Sequence, residues 1–522
     1  MHATSIDRNA GAPPATHAGP EASAASMVSR RLTQATAPEV CTHIYAPRLR
    51  DFGPGFPYLT EINAAHLLML HGTGLIPAGT SATLAQALLR MEEEGAAAVP
   101  LDPQREDAYF NYEARLMDVA GADAGGRLHV ARSRNDILAT QDRLRARDAV
   151  LALLDALGEA RAVVLHNAAA HVETVMPGYT HLQAAQPITY GYYLAGVAQA
   201  MQRDMTRLRH ALDTLDACPL GAGALAGTAF PIDRAATAQW LGFSTHAPNS
   251  LDAVASRDFA WEILAAVTIA TLTWGRVAQD LFVWATPEFG LIDFPDSVAG
   301  TSSIMPQKKN PVALEYLKGK GGHMLGLLTA SLAALKGTHF THTGDGNRET
   351  MRGFWEAMDE ALRCVDLLRL VLAYATPQPA TMLQRARRDF SSATDLADLL
   401  VRDAGMSFRE AHHVVGAVVR EALDRQLPAC EIDSALVDRA ALAHTGRALH
   451  LDPQEVAACL DPVHGVAARL APGGPAPSLV RAQVEAQLAA LAEDRAAIAR
   501  RRDAVAVRRA MLKRAVAALA GA

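Results

Sequence analysis

The amino-acid sequence predicts an all-α protein with several domains. Half of its 522 residues are apolar and only 5% are aromatic, and Ala and Leu abound, which favours helices. Apolar residues recur at helical spacing over long stretches, whereas no stretch shows the alternating pattern of a half-buried strand. A chain of this length can bury a large core and is expected to form two to four domains.

Composition and periodicity divide the chain into four predicted regions. Residues 1–44 are rich in small residues and Pro and lack periodicity, so we predict a disordered N-terminal extension. Residues 45–135 form an N-terminal helical domain and residues 136–385 a bundle of long helices, some apolar on more than one face. Residues 386–522 form a C-terminal helical domain with a basic tail, which we interpret as a solvated helix face. The long helices are predicted at 137–172, 189–217, 252–286, 312–335 and 348–375.

The net charge and the cysteines indicate which cellular compartment and which partners to expect. The net charge of −6 gives no indication of nucleic acid or a membrane surface as a partner. No segment is long enough to span a bilayer, and no secretory signal is visible. The five cysteines are scattered, which fits buried thiols in a reducing compartment and argues against a disulfide framework or a zinc site. We therefore predict a cytoplasmic protein.

The stretch A-G-T-S-S-I-M-P-Q-K-K-N-P-V-A-L-E, residues 299–315, carries the strongest chemical signal. Gly300 and its small polar neighbours predict a mobile loop, while Asn310 as N-cap and Pro311 in the first turn predict a helix start. Free N–H groups and the dipole at a helix N-terminus favour anions. Two serines and two lysines converge there, so the stretch predicts a carboxylate or phosphate site beside a hydroxyl; an ordinary solvated loop is the alternative.

A second motif, H-V-A-R-S-R-N-D, covers residues 129–136. Ser133, Arg134 and Asn135 offer a hydroxyl, a guanidinium and an amide in a row, a combination that recognises carboxylates. A charged helix start is the alternative interpretation.

A third motif, P-G-Y-T-H-L-Q-A-A-Q-P, covers residues 177–187 and predicts a turn between flanking prolines. The turn holds Thr180, His181, Gln183 and Gln186. Histidine exchanges a proton near neutral pH, which suits acid–base chemistry, although a lone histidine is often structural.

A fourth motif, P-L-G-A-G-A-L-A-G-T-A-F-P, covers residues 219–231. Gly221, Gly223 and Gly227 indicate close backbone approach or positive φ angles. The spacing matches neither nucleotide-binding glycine pattern, so we predict a structural turn.

Together these motifs resemble the argininosuccinate lyase branch of the fumarase/aspartase superfamily. S-S-I-M-P-x-K-x-N-P resembles the superfamily signature. The version with two adjacent lysines, together with the other three motifs, resembles this branch. S-S-A-T-D-L-A-D-L-L-V-R, F-R-E-A-H and G-G-P-A-P, which begin at Ser391, Phe408 and Gly473, resemble the third domain of that branch. The similarity covers residues 45–487.

The resemblance implies a three-domain, all-helical homotetramer with a twenty-helix core, in which three chains contribute to each active site. It implies β-elimination from an N-substituted aspartate, releasing fumarate and an amine, with no metal or organic cofactor. The only other partner implied is the small-molecule substrate.

Residue by residue, the resemblance assigns Ser302 as the base that removes the proton next to a carboxylate. Lys308 and Asn310 hold that carboxylate as it becomes doubly negative, and His181 pairs with Glu315 near the departing nitrogen. The implied substrate-binding set is Ser133, Arg134, Asn135, Thr180, Gln183, Ser303, Asn310, His342 and Asn347.

One segment departs from the branch. Where the branch reads Y-N-K-D-L-Q-E-D-K, residues 342–350 read H-T-G-D-G-N-R-E-T, so that His342, Asn347 and Thr350 replace the Tyr, Gln and Lys of the arginine end. Ile137 replaces a Gln, and an early S-x-x-x-D pattern is not apparent. Buried polar groups discriminate strongly between substrates.

We therefore predict a fumarate-releasing carbon–nitrogen lyase similar to argininosuccinate lyase. The first alternative is the same chemistry on another amine, as in ethylenediaminedisuccinate lyase. An inactive, crystallin-like structural protein is the second alternative, and adenylosuccinate lyase or fumarase is the other enzyme class considered.

Overall fold

The computed structural model describes residues 31–522. Most of the predicted disordered extension lies outside the described residues, and from Pro38 the chain is helical. The described chain forms two compact units. The first comprises the residues up to Arg134 with Phe230–Asp233 and Met511–Ala522, and the second comprises Asn135–Ala229 and Arg234–Ala510.

The first unit is built from short and medium helices around a core that includes Phe56 and Tyr112. Their rings lie 5.5 Å apart. The Asp107 side chain accepts a hydrogen bond from the amide of Phe110 and caps the fifth α-helix. The helices are α1 Pro38–Val40, a π-helical turn Cys41–Tyr45, α2 Ala46–Arg48, α3 Phe52–Gly72, α4 Ala78–Glu94, 3₁₀ turns Ala96–Ala98 and Pro103–Arg105, α5 Ala108–Ala120 and α6 Ala122–Arg127.

The second unit contains the long helices. Those of its central part are α7 Arg134–Ala170, α8 Tyr190–Leu215, α9 Arg234–Trp240, α10 Ser250–Ala255, α11 Asp258–Trp284, α12 Val312–Leu335 and α13 Gly346–Tyr374, with a 3₁₀ turn Asp296–Val298. The following helices are α14 Pro379–Arg388, α15 Ala393–Ala404, α16 Phe408–Asp424, a 3₁₀ turn Ala429–Glu431, α17 Ser434–Thr445, α18 Pro453–Leu460, α19 Pro462–Ala468 and α20 Pro477–Ala520.

The predicted long helices are present, and α12 has the predicted bounds. They share one apolar core with fully buried residues such as Leu154, Ile263 and Phe354. The predicted helix 252–286 is interrupted between α10 and α11, where the buried Arg257 side chain donates to Asp142 at 3.1 Å. Because a buried guanidinium must be hydrogen-bonded, this contact stabilises the break.

The structure also contains short strands that the sequence pattern did not indicate. Eight strands form four two-stranded sheets in the described residues. Three sheets join pairs of two-residue strands, whereas β1 and β2 form a longer antiparallel hairpin. The strands are β1 Val175–Thr180, β2 Gln183–Thr189, β3 Ala217–Cys218, β4 Thr245–His246, β5 Ile292–Asp293, β6 Gly300–Thr301, β7 Lys309–Asn310 and β8 Thr376–Pro377.

The basic tail folds with the long helices rather than with the C-terminal helices to which it was assigned. Helices α15–α18 have their own apolar core, whereas Val480, Leu491 and Ile498 of α20 lie in the core of the long helices. Several basic residues of α20 form ion pairs with acidic residues of α7, including Arg502 with Asp155 at 2.7 Å. Up to Ala510, the tail is therefore a structural helix of the central bundle.

Among the described residues, none of the helices combines the length and the hydropathy needed to cross a membrane. Four cysteines are buried as predicted, while Cys430 is exposed.

Candidate active site

The signature loop, residues 300–310, is closed at its base by the pairing of β6 with β7. Gly300 pairs with Asn310, and the Asn310 amide donates to the carbonyl of Thr301 at 3.1 Å. The predicted N-cap role of Asn310 is therefore wrong, since Pro311 is the N-cap and no side chain caps α12. Because no side chain caps the start of α12, the helix N-terminus can still attract an anion, as the site prediction requires.

Position 300 requires glycine because a side chain would not fit there, not because the backbone angle is unusual. Its φ is not positive, but a Cβ at this position would lie 2.7 Å from Cγ1 of Val312. The loop base thus lies directly against the first turn of α12.

The Ser302 hydroxyl oxygen faces backbone amides of its own loop. The amide of Met305 donates to Ser302 Oγ at 3.1 Å, and that of Ile304 lies 3.4 Å away. Such donors stabilise an oxygen that gains negative charge. The motif by itself does not say which amides of the loop make this contact.

The two adjacent lysines of the loop have different surroundings. Lys309 forms ion pairs with Asp293 at 3.4 Å and Asp296 at 3.3 Å, and its ammonium also contacts the carbonyl of Phe294. Lys308 is exposed, and its ammonium forms no hydrogen bond or ion pair with any residue in 31–522. Lys309 therefore holds the loop, while Lys308 is available to a substrate.

The predicted turn at residues 177–187 is part of the Thr-His hairpin, which we define as β1, β2 and the residues between them. His181 and Leu182 form a two-residue turn with φ of 55° and 57°. Residues other than glycine rarely adopt such angles, and the strain is typical of functional sites. Thr180, His181, Gln183 and Gln186 are not buried, so their side chains are accessible to a ligand.

Arg134 of the second motif is already engaged within the first unit. Its guanidinium contacts Glu106 and Asp107, each at 2.9 Å, and lies over the ring of Phe110. Ser133 is half-buried. Two carboxylates therefore hold the Arg134 guanidinium through its Nη1 atom.

The motif also contains a structural residue that the sequence did not single out. The Asp136 carboxylate, fully buried, accepts hydrogen bonds from the amides of Gly221 and Gly223, each at 2.9 Å. Asn135 donates to the carbonyl of Ala224 at 3.0 Å. As predicted, Gly221, Gly223 and Gly227 have positive φ angles. The glycine-rich turn is structural, and it lies on the start of α7.

The segment predicted to face the amine end turns largely inward. The buried Asn347 amide donates to the carbonyl of Val254 and to His342 Nδ1, and the buried Thr350 hydroxyl donates to the carbonyl of Ser331 at 3.1 Å. His342 is half-buried. Thr350 therefore joins α13 to α12, and Asn347 joins α13 to α10 within this chain.

Residues 64–326 match the lyase family, and residues 390–467 match the C-terminal region of argininosuccinate lyase. An argininosuccinate lyase of Methanoculleus marisnigri is 42% identical over 83% of this chain and 87% of its own length. Argininosuccinate lyase 1 of Shouchella clausii is 39% identical over 89% of this chain and 93% of its own.

The chain belongs to the argininosuccinate lyase family. The resemblance drawn from the four motifs is therefore confirmed, and with it the class of the enzyme, a carbon–nitrogen lyase. An EDDS lyase in complex with formate has the same fold, with a TM-score of 0.84 and 32% identity over 94% of this chain and 97% of its own.

The family assignment also bears on the two alternative functions that the sequence analysis left open. The relatives with higher identity are argininosuccinate lyases, so neither a different amine nor an inactive structural protein is favoured.

Within one chain, the signature loop of this argininosuccinate lyase family member carries only part of the predicted site. Ser302, Lys308 and Asn310 lie on one loop in front of α12, which also carries the exposed Glu315. Among residues 31–522, no hydrogen bond or ion pair joins His181 to Glu315, Ser302 or Lys308.

Proposed function

We propose that the protein is an argininosuccinate lyase, which cleaves argininosuccinate into arginine and fumarate. The observation that carries this proposal is the identity of 39–42% to relatives of that name over 83–89% of the chain. The signature loop supplies the groups that such an elimination requires.

In the proposed reaction, ionised Ser302 removes the proton from the carbon next to one carboxylate. The C–H electrons first move into that carboxylate, which becomes a doubly negative aci-form. They then form the carbon–carbon double bond of fumarate while the carbon–nitrogen bond breaks and the nitrogen gains a proton. The amides of Ile304 and Met305 support the ionised serine because they already face its oxygen.

The charge of the aci-form is held by Lys308, by Asn310 and by the start of α12, which no side chain caps. Preorganised donors of this kind stabilise a developing anion more than its ground state. Ser303, Thr180, Gln183, Ser133, Arg134 and Asn135 complete the proposed binding of the substrate carboxylates.

We further propose a homotetramer in which His181 of one chain meets Glu315 of another. Supporting this, Leu325 and Leu332 are exposed on α12, and Ile269 and Leu272 on α11. A Cβ added at Gly322 or Gly326 of α12 would meet no atom within 4 Å, so another helix could approach this apolar face closely. The free cysteines fit the proposed cytoplasmic location.

The proposal is tested by adding argininosuccinate to the purified protein and following fumarate by its absorbance. In the reverse direction, fumarate is supplied with arginine, with ethylenediamine-type amines and with aminocarboxylic acids. We expect arginine to be the preferred amine; consumption of fumarate only with another amine would refute the assigned substrate.

Ser302→Ala should lower kcat by a factor on the order of 10² to 10⁴, the usual contribution of a positioned general base. Ser434→Ala, at the start of α17, is the matched control and should retain the parental rate. Equal rates for both variants would remove Ser302 from the reaction.

A further inference from the structure

The Thr-His hairpin has a weak point near its base. Pro177 of β1 pairs with Pro187 of β2, and neither proline has an N–H group to donate across the ladder. The register also shifts between Pro177 and Tyr179. At Gly178 a Cβ would lie 2.7 Å from the carbonyl oxygen of Gln186, so the strands approach closely there.

A two-stranded hairpin is marginally stable by itself. Here the positive φ angles of His181 and Leu182 add a conformational cost, because residues with a Cβ atom disfavour them. Such a turn persists only where its surroundings impose it. Contacts from outside the hairpin must therefore hold its base in place.

Arg469, which directly follows α19, supplies the missing donor. Its Nη1 atom donates to the carbonyl of Pro187 at 3.3 Å. Its Nη2 atom contacts both carboxylate oxygens of Asp395 in α15, at 2.8 and 3.0 Å. Both side chains are largely buried, with 19% and 16% exposure. The ion pair with Asp395 therefore fixes the Arg469 guanidinium, and the guanidinium in turn fixes the position of the Pro187 carbonyl.

Two further features show that this arrangement is specific. Gly465 of α19 leaves room for the carboxylate, since a Cβ there would lie 2.5 Å from Asp395 Oδ2. Val175 of β1 packs with Ala386 and Val466 in a small buried cluster. The C-terminal helices thus hold both strands of the hairpin.

We infer that Arg469 and Asp395 are positioning residues for catalysis: through the Pro187 carbonyl they set the orientation of the hairpin that presents Thr180 and His181. The inference rests on the proposed function for the role of those two residues. Arg469 and Asp395 themselves do not touch the substrate; they act through the backbone of the hairpin.

The test uses two variants of the full-length protein, each with a matched control. Gly465→Ala displaces the Asp395 carboxylate without removing any polar group, and Gly416→Ala, where a Cβ meets no atom within 4 Å, is its control. Arg469→Lys keeps the charge but loses the fork that joins Asp395 to Pro187. Its control is Arg439→Lys, in an exposed pair with Glu421.

The readouts are hydrogen exchange of the peptide covering residues 177–187, kcat and KM with argininosuccinate, and the melting temperature. In Gly465→Ala and Arg469→Lys we expect the hairpin amides to exchange about tenfold faster and kcat to fall about tenfold, because small misplacements reduce rates strongly. We expect KM to change less than kcat, the long helices to retain their protection, and both controls to behave as the parent.

Hairpin exchange and kcat equal to those of the controls would overturn the inference. So would faster exchange spread evenly over the chain, which indicates general destabilisation. If Arg469→Lys does not fold, Gly465→Ala alone decides. If the parent does not cleave argininosuccinate, the proposed function fails, while the exchange measurement still tests the support of the hairpin.

Discussion

The Asp136 carboxylate at the start of α7 accepts a hydrogen bond from the backbone amide of Gly223 at a distance of 2.9 Å. The same oxygen accepts from the amide of Gly221. The carboxylate is fully buried, so both contacts are shielded from water. One side chain therefore determines where the glycine-rich turn lies.

Replacing Asp136 by Ala should lower the free energy of unfolding by about 3 kcal/mol, because two amides lose a charged acceptor in a buried place. Thermal or urea unfolding measures the change. Asp155→Ala, which removes an exposed ion pair from the same helix, should cost less than about 1 kcal/mol. Equal losses for the two variants would contradict the role given to Asp136.

Lys308→Met and Lys309→Met should have different effects although the residues are adjacent. Lys308 is available to the developing dianion, so its loss should lower kcat/KM on the order of 10² to 10³-fold, as for other preorganised charge-stabilising groups. Lys309 is engaged by Asp293 and Asp296, and we expect its loss to cost less than about tenfold, since exposed ion pairs contribute little.

Steady-state kinetics with argininosuccinate compares the two lysine variants. Circular dichroism and the melting temperature establish that both remain folded. A larger loss in Lys309→Met than in Lys308→Met would reverse the assignment of the two side chains.

Burial raises the pKa of the Asp204 carboxyl in α8 to about 6. Between the ordinary aspartate pKa of about 4 and this raised value, the folded protein retains a proton that the unfolded chain has lost. Stability therefore falls as the pH rises through this window and is lower above it. The difference between the two pKa values corresponds to about 3 kcal/mol.

Asp204→Asn removes this titration and should be more stable than the parent at pH 7, by up to about 3 kcal/mol. The advantage should shrink towards a pH of about 4, where the parental carboxyl is protonated. Melting temperatures of both proteins across this range provide the measurement, with Asp155→Asn as an exposed control. A difference between the two proteins that is independent of pH would contradict the assignment.

Leu491→Ala in α20 should lower the free energy of unfolding by about 2–5 kcal/mol, the usual cost of a cavity in a close-packed core. Leu491 is 3% exposed, whereas Leu488 of the same helix is 42% exposed. Leu488→Ala is therefore the matched control and should cost about 1 kcal/mol or less. Urea unfolding of the two variants distinguishes a core helix from a solvated tail.

The sequence by itself determined the helical architecture and the chemistry of the signature loop. The bounds of α12 follow from its apolar periodicity and from Pro311, both of which are local properties of the chain. The positive φ angles of Gly221, Gly223 and Gly227 were likewise predictable, because only glycine adopts them without strain. The motifs also identified the family, since each combines rare residue types at fixed spacing.

Only the tertiary structure decided which groups meet across long distances in the sequence. The glycine turn needs an acceptor, but the chain contains 55 acidic residues, and nothing local selects Asp136. Asn310 is a residue type that often caps helices, yet its side-chain amide closes the loop base by donating to the carbonyl of Thr301 in β6. The contact of Arg469 with Pro187 joins residues 282 positions apart. Such pairings depend on packing of the whole core, because a hydrogen bond between distant residues forms only after the helices that carry them have been placed.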